Sequence, residues 1–341
     1  MSAPGPARWE GAATGQSYAR EQHVAAEAVA EAAALCARVR AELGGARALS
    51  KEDRSPVTAA DFGSQALICR RLAEAFPGDA IVAEERAEAL RRPEHAPTLA
   101  AVAHHVRQLA PEATPDAICA WIDSGAGPPG RRFWALDPID GTKGFLRGGQ
   151  YAVALALIED GEVRLGALAC PALPLGPGAP AGRAGALFVA VRGRGVGWAP
   201  LLGGGPLRPL AGAPGQVARR LAESVETGHG DRELQEAVAQ AVGLACEPLR
   251  MDSQAKYAAV ARGDAALYLR LPSRRTPGYR EAIWDHAAGA LIVEEAGGQV
   301  TDMRGAPLDF RAGRRLEANR GVVASRGVSH AAALAALAGA R

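Results

Sequence analysis

Residues 137 to 145 read DPIDGTKGF, with RFWAL before them at 132 to 136 and YAVALALI after them at 151 to 158. An apolar, β-prone run delivers Asp137. Pro138, which fixes φ and has no N–H to give a ladder, separates it from Asp140, and Gly141-Thr142 follows at once. Two carboxylates three residues apart, with the Ile139 carbonyl turned inward between them, place three hard oxygens within four residues, the donor type a divalent cation takes. Gly141 and Thr142 then open a helix or turn whose unpaired N–H groups can receive a phosphate oxygen. The same nine residues also fit an Asx turn followed by an N-cap, in which Asp137 and Asp140 serve only the backbone.

Working outward, YAVALALIEDGEVRLGALAC at 151 to 170 reads as two strands joined by a tight turn at Asp160-Gly161. RFWAL, this pair and the hairpin expected from ALFVAV and GVGW predict a largely antiparallel first sheet. Upstream, Val24, Ala28, Leu35, Val39 and Leu43 recur at helical intervals from Glu21 and stop at Gly44-Gly45. Asp61 is placed to cap a second helix, whose inner face is Leu67, Ile68 and Leu72 and which ends before Pro77-Gly78. The short run AIVA then delivers Glu84 and Glu85, and residues 86 to 117 read as helices and loops. Beyond LLGGGP at 201 to 206, helical stretches (231 to 243, 254 to 262, 285 to 297) alternate with the strand-like AALYLRL, GQVTD and GVVAS. The expected architecture is therefore an α/β (α+β) chain with a boundary near residue 200. Residues 1–200 form an α+β domain carrying most of the clustered acids, and residues 201–341 an α/β domain.

Composition limits what such a chain can be. Apolar residues make up 48% and charged residues 22% of 341, the balance of a globular protein with a sizeable core. A net charge of +2, from 39 basic and 37 acidic residues, argues against a whole-molecule attraction to nucleic acid. The five cysteines, Cys36, Cys69, Cys119, Cys170 and Cys246, are scattered and form no CxxC pair, so neither a disulfide framework nor a zinc site is indicated. No apolar run approaches the roughly 20 residues of a membrane span. MSAPGPARWEGAATGQS at the start carries no apolar core for secretion, and a cytoplasmic location is expected.

Two further stretches carry acids to the ends of predicted elements. VAEE places Glu84 and Glu85 at a strand end, and IWDHAAGALIVEEAGG places Asp285 where an apolar helix starts, the usual position of an N-cap. Each alone reads as a cap or a solvated charge. Jointly with Asp137 and Asp140 they supply the several carboxylates that magnesium needs, the remaining coordination being left to water and substrate phosphate.

In order along the chain, DRSPVTAAD, VAEE, WALDPIDGTKGFLRGGQYAVALALIEDG, MDSQAKY and IWDHAAGALIVEEAGG resemble the motifs of the inositol monophosphatase superfamily of magnesium-dependent, lithium-sensitive phosphatases. The resemblance runs from about residue 21 to 326. DPIDGT and WD mark the superfamily as a whole, whereas DGTKGFLRG, SVETGH, DSQAKY, YLRLP and WDHAAG together look most like its 3'(2'),5'-bisphosphate nucleotidase branch. The resemblance implies a layered α-β-α-β-α sugar-phosphatase fold and two or three Mg2+ ions. It implies Glu84, Asp137, Asp140, Asp285 and the Ile139 carbonyl as metal ligands. Asp53 and Thr142 resemble the pair that orients and deprotonates the attacking water. Gly141, Thr142, His229, Ser253, Lys256 and Arg270 match positions that contact the nucleotide bisphosphate. His286 is either outer support for a metal or a packed helix residue.

The implied reaction is in-line hydrolysis of the 3'-phosphate of 3'-phosphoadenosine 5'-phosphate, with the sulfated nucleotide as a further candidate substrate. Alternatives are a phosphatase of inositol or other sugar phosphates and, in another class, a non-catalytic nucleotide-binding protein. A monomer or homodimer is expected, with no nucleic-acid or membrane partner. Two positions depart from the pattern: Ala83 stands where many relatives have Gly, and Ala282 where relatives often have Lys, with Arg274, Arg275 and Arg280 nearby in the chain.

Overall fold

The helix expected from Glu21 is α1 (Ala19–Gly45), and the second is α2 (Ala59–Ala75). In the computed structural model, residues 17–45, 59–176, 184–210, 217–226, 231–244, 247–272, 276 and 278–339 are described. α2 starts two residues before the expected cap. Asp61 therefore lies inside its first turn, buried, rather than at its N-cap. Leu67, Ile68 and Leu72 are buried as the spacing predicts.

β1 (Ala80–Ala83) follows, then α3 (Ala96–Arg107) and α4 (Pro115–Ser124), the latter capped by the Thr114 side chain, which accepts from the Ala117 N–H at 3.1 Å. β2 (Arg132–Asp140), the short α5 (Thr142–Leu146), β3 (Ala152–Glu159), β4 (Glu162–Pro174), β5 (Ala184–Val191), β6 (Val196–Pro200) and β7 (Arg208–Pro209) complete a seven-stranded sheet in sequential order. β1 pairs with β2 in parallel and the other pairs are antiparallel. The turn between β3 and β4 has positive φ at both Asp160 (51°) and Gly161 (79°), the conformation that lets a two-residue loop follow the twist of its strands.

The second half supplies β8 (Leu221–Glu223), α6 (Arg232–Ala241), β9 (Leu249–Arg250), α7 (Ala255–Arg262), β10 (Leu267–Arg270), α8 (Ala287–Glu295), β11 (Gln299–Thr301), β12 (Val322–Ser325) and α9 (His330–Gly339). Its five strands lie in the order β11-β12-β10-β8-β9, mixing parallel and antiparallel pairs.

Alternation along the first sheet sorts its side chains to two faces. Trp134, Leu136 and Leu155 pack with α1 to α4, while Phe133, Ala135 and Ala154 pack with α7, α8 and the inner face of the second sheet. A third cluster joins the outer face of that sheet to α6 and α9. The layers are therefore α-β-α-β-α. Gly289 shows how closely the middle layer is packed: a Cβ there would lie 2.3 Å from the ring of Tyr257 on α7. Arg132 ties the first layers together, donating to Asp79 at 2.9 Å and to Glu21 on α1 at 3.0 Å, and also to Glu159 on β3. Four cysteines, Cys36, Cys69, Cys119 and Cys170, are buried free thiols, and no helix among the described residues is long and apolar enough to cross a membrane.

Candidate active site

The parallel pairing of β1 and β2 sets Ala83 opposite Leu136, so the next residues, Glu84 just past the end of β1 and Asp137 within β2, come side by side. In a regular strand Asp137 and Asp140 would point to opposite faces, being an odd number of residues apart. The ladder to β3 pairs Asp137 with Ala154 and Asp140 with Ala152, three steps on β2 against two on β3. That extra residue is a bulge, which turns both carboxylates to the same side. Pro138 suits the gap because it has no N–H to leave unpaired, and the Ser64 hydroxyl holds the Pro138 carbonyl at 2.9 Å. The expected strand end at Asp137 is thus three residues short.

Gly141 stands at the N-cap of α5 with φ +85°, and a Cβ on it would lie 2.9 Å from the Cβ of Ser253. Only glycine allows both that backbone and that approach. Thr142 opens α5 as expected, and its hydroxyl donates to the Ile139 carbonyl at 3.2 Å, leaving that oxygen a second lone pair. Asp140 is no local turn-former: its Oδ2 accepts from the backbone N–H of Gln254, on the other sheet's side, at 2.6 Å.

Asp285 differs from the N-cap reading. It ends a 3-10 turn, Ile283–Asp285, packed against β2 and β3, and the N-cap of α8 is His286, with no side-chain capping bond. The Asp285 carboxylate instead faces those of Asp140 and Glu84. Asp137 is pushed well above the usual carboxylate range by burial, then by Glu84, Asp140 and Asp285. Asp285 is raised to about 7 by burial and Asp140. Glu84, at the solvent-facing rim, is raised in the same direction by desolvation and by Glu85, Asp61 and Asp140. Burial raises Asp140 too, although Lys256, the Gln254 N–H, Arg270 and His286 oppose it.

Three carboxyls from the ends of β1 and β2 and one from the 3-10 turn before α8 therefore repel one another, and the buried Oδ1 of Asp137 has no hydrogen-bond partner among the described residues. Hard oxygen donors, mutual repulsion and an unpartnered buried oxygen fit a divalent cation of the magnesium class. Glu281 and His286 bring further possible ligand atoms close to Asp285.

Of the expected substrate contacts, Ser253 reaches the site in an uncommon backbone conformation, φ +67°, with its Oγ accepting from the Ala255 N–H at 3.1 Å. Lys256 is 3% exposed; burial lowers its pKa to about 8 against the pull of Asp140, and its Nζ donates to the Met251 carbonyl at 3.3 Å. Arg270 is half-buried and donates Nε to Glu281 Oε1 at 3.1 Å. Burial alone would raise Glu281, but His286 and Arg270 outweigh it and bring the carboxyl to about 2. His286 is 2% exposed and shares Nδ1 with the Tyr257 hydroxyl at 2.7 Å, so it is both a packed residue and a neighbour of the acidic cluster. Asp53, His229, Arg274 and Arg275 lie outside the described residues. Arg280 donates its Nε to the Glu317 carbonyl, and Ala282 is buried and bridged to Arg315.

The sequence reading missed the supports on α2. Gln65 accepts from the Glu85 N–H and donates to the Glu85 carbonyl, both at 3.0 Å, and so locks the turn that carries Glu84. Asp61, Ser64 and Gln65 are buried polar residues at i, i+3 and i+4 of one helix. That spacing puts them on one face, a signal legible in DFGSQ. Gln254, although it lies inside the DSQAKY motif, was given no role; Glu281 and Arg314 were also missed, and nothing in their local sequence marks those two.

A family model for the inositol monophosphatase family matches residues 17–340. The chain belongs to that family. The inositol monophosphatase family is metal-dependent, in keeping with the acidic cluster. A 3'(2'),5'-bisphosphate nucleotidase of Emericella nidulans is 44% identical, over 91% of this chain and 95% of its own length. One from Schizosaccharomyces pombe is 43% identical, over 91% of this chain and 92% of its own. Among solved structures, the inositol monophosphatase from Anabaena superposes with a TM-score of 0.58 at 20% identity, covering 94% of this chain and 95% of that one, which speaks to the shared fold.

Proposed function

We propose that this chain is a magnesium-dependent phosphomonoesterase that hydrolyses the 3'-phosphate of 3'-phosphoadenosine 5'-phosphate, giving AMP and phosphate. The observation that carries the chemistry is the meeting of Glu84, Asp137 and Asp140 from the first sheet with Asp285 from the 3-10 turn before α8, around an unpartnered buried oxygen. The substrate rests on the likeness to bisphosphate nucleotidases over nine-tenths of the chain, and on the cations Lys256 and Arg270 beside Asp140.

In this reading the four carboxylates and the Ile139 carbonyl hold two or three Mg2+ ions. Bound cations of this kind lower the pKa of a water and neutralise phosphate charge. The protein's own part is positioning, since phosphoryl transfer needs little covalent help. Thr142 and Asp53 orient the attacking water, and Asp53 accepts its proton. The water oxygen bonds to phosphorus as the P–O3' bond breaks in line, and the ribose oxygen leaves as an alkoxide that becomes a hydroxyl by taking up the proton released from Asp53 through solvent. Gly141, whose missing Cβ keeps the backbone low, admits the phosphate beside Thr142. Lys256 and Arg270 pair with the 5'-phosphate, a charge-assisted contact that a substrate with one phosphate does not use, while Ser253 and His229 contact the nucleoside. The boundary near residue 200, a monomeric or dimeric state and a cytoplasmic location belong to the same proposal.

Phosphate release with Mg2+, compared at equal low concentration for 3'-phosphoadenosine 5'-phosphate, its sulfated form, inositol 1-phosphate and inositol 1,4-bisphosphate, tests it. Strong preference for a nucleotide is expected. Preference for an inositol phosphate would overturn the substrate assignment and leave the metal chemistry standing. No Mg2+-dependent release from any of them would overturn both.

A further inference from the structure

Arg314 lies 231 residues after Ala83 in the chain, yet its Nη2 donates to the Ala83 carbonyl at 2.5 Å. Ala83 is the residue directly before Glu84. The same guanidinium stacks on Trp284, 4.6 Å from the ring centroid, and Trp284 directly precedes Asp285. The Arg314 carbonyl in turn accepts from the Ile283 N–H at 3.1 Å, at the start of the 3-10 turn that ends on Asp285. One residue thus grips the strand end that carries Glu84 and the turn that carries Asp285, which come from different halves of the chain.

The arrangement is not what stability alone would select. Nη1 of Arg314 is buried with no partner among the described residues. Arg86 also donates to the Ala83 carbonyl, at 3.0 Å, so two cations share one acceptor. A buried N–H without an acceptor and a like-charged neighbour are both costs that an apolar side chain would not carry. What a guanidinium adds is a rigid planar fork that can stack and donate at once, which lysine cannot do.

We infer that Arg314 is a positioning residue that sets the separation of Glu84 and Asp285, and through it the affinity of the acidic cluster for divalent cations. This rests on the ligand roles proposed for those two residues. Groups that orient metal ligands without touching the metal typically change affinity by about 10- to 100-fold when removed. The sign is diagnostic. Taking a cation away from beside the carboxylates would, by charge alone, tighten binding. Loss of the clamp weakens it.

The test is calorimetric titration of the metal-free protein with Mn2+, alongside its thermal midpoint without metal. Arg314→Met is expected to weaken Mn2+ by about 10-fold or more, with Arg314→Lys recovering part of the loss through its single donor. Folded Arg314→Met that binds Mn2+ as well as wild type, or better, overturns the inference. If that variant does not fold, Trp284→Leu removes the stack and keeps the bond to Ala83, and unchanged affinity there overturns it equally. Asp140→Asn serves as the control: if it binds Mn2+ like wild type, the ligand assignment fails and the clamp falls with it, whereas a weakened Asp140→Asn with unchanged Arg314→Met removes the clamp alone.

Discussion

Asp285→Asn should move stability and activity in opposite directions. In the metal-free protein burial and the Asp140 carboxylate push Asp285 up to about 7, against 3.8 for the free side chain. A carboxyl whose folded pKa is raised holds its proton more tightly in the native state, so it costs nothing below pH 4. Between pH 4 and 7 it subtracts stability progressively, and it costs its full amount above 7. Three units correspond to about 4 kcal/mol. The neighbouring carboxyls share protons and absorb part of the relief, so the expected gain from Asn at pH 8 is about 2 to 4 kcal/mol. For a chain of this length the unfolding entropy near the midpoint is roughly 0.7 kcal/mol/K, which converts that gain to about 3 to 6 °C. Calorimetry in chelator at pH 5 and pH 8 reads it directly: a higher midpoint for the variant at pH 8, shrinking towards pH 5. With Mg2+ present the order reverses, because wild type gains binding energy that the variant has lost. A variant less stable than wild type at pH 8 in chelator, or a difference independent of pH, would refute the reasoning that these carboxyls are held together against their repulsion.

Three other outcomes are expected. Asp140→Asn should keep the wild-type circular dichroism and lose nearly all Mg2+-dependent phosphate release; full activity would remove Asp140 from the site. Gly141→Ala combines a left-handed backbone with a 2.9 Å approach to Ser253 Cβ, and should cost about 2 kcal/mol or more in urea denaturation. Adding Ser253→Gly, which removes the opposing Cβ, should recover part of it, and no recovery would mean that the contact is not the cause. Lithium in the millimolar range should inhibit phosphate release, as the family resemblance implies, and insensitivity would count against that part of the resemblance.

Much of this molecule is readable from the chain alone because its causes are local. The spacing of Leu67, Ile68 and Leu72, the turn at Asp160-Gly161 and the proline and glycine around Asp140 act on their own neighbours, so elements and motif order follow from sequence. The family motifs likewise named the acidic residues that meet. What sequence left open was what each carboxylate faces. Asp285 reads as a helix cap until the 3-10 turn ends on it, one residue before the true N-cap His286, and sets it against β2. Asp137 and Asp140 fit a local turn until a one-residue bulge aims both at the same side and the N–H of Gln254 arrives from the start of α7. Gln65 sits on a polar helix face legible in DFGSQ, whereas Arg314 looks like an ordinary polar position, and only packing brings them to Glu85 and Ala83. The physical reason is that a side chain's partners across a fold depend on sheet register and layer packing. Those are settled by contacts between residues tens to hundreds of positions apart, and no local pattern encodes them.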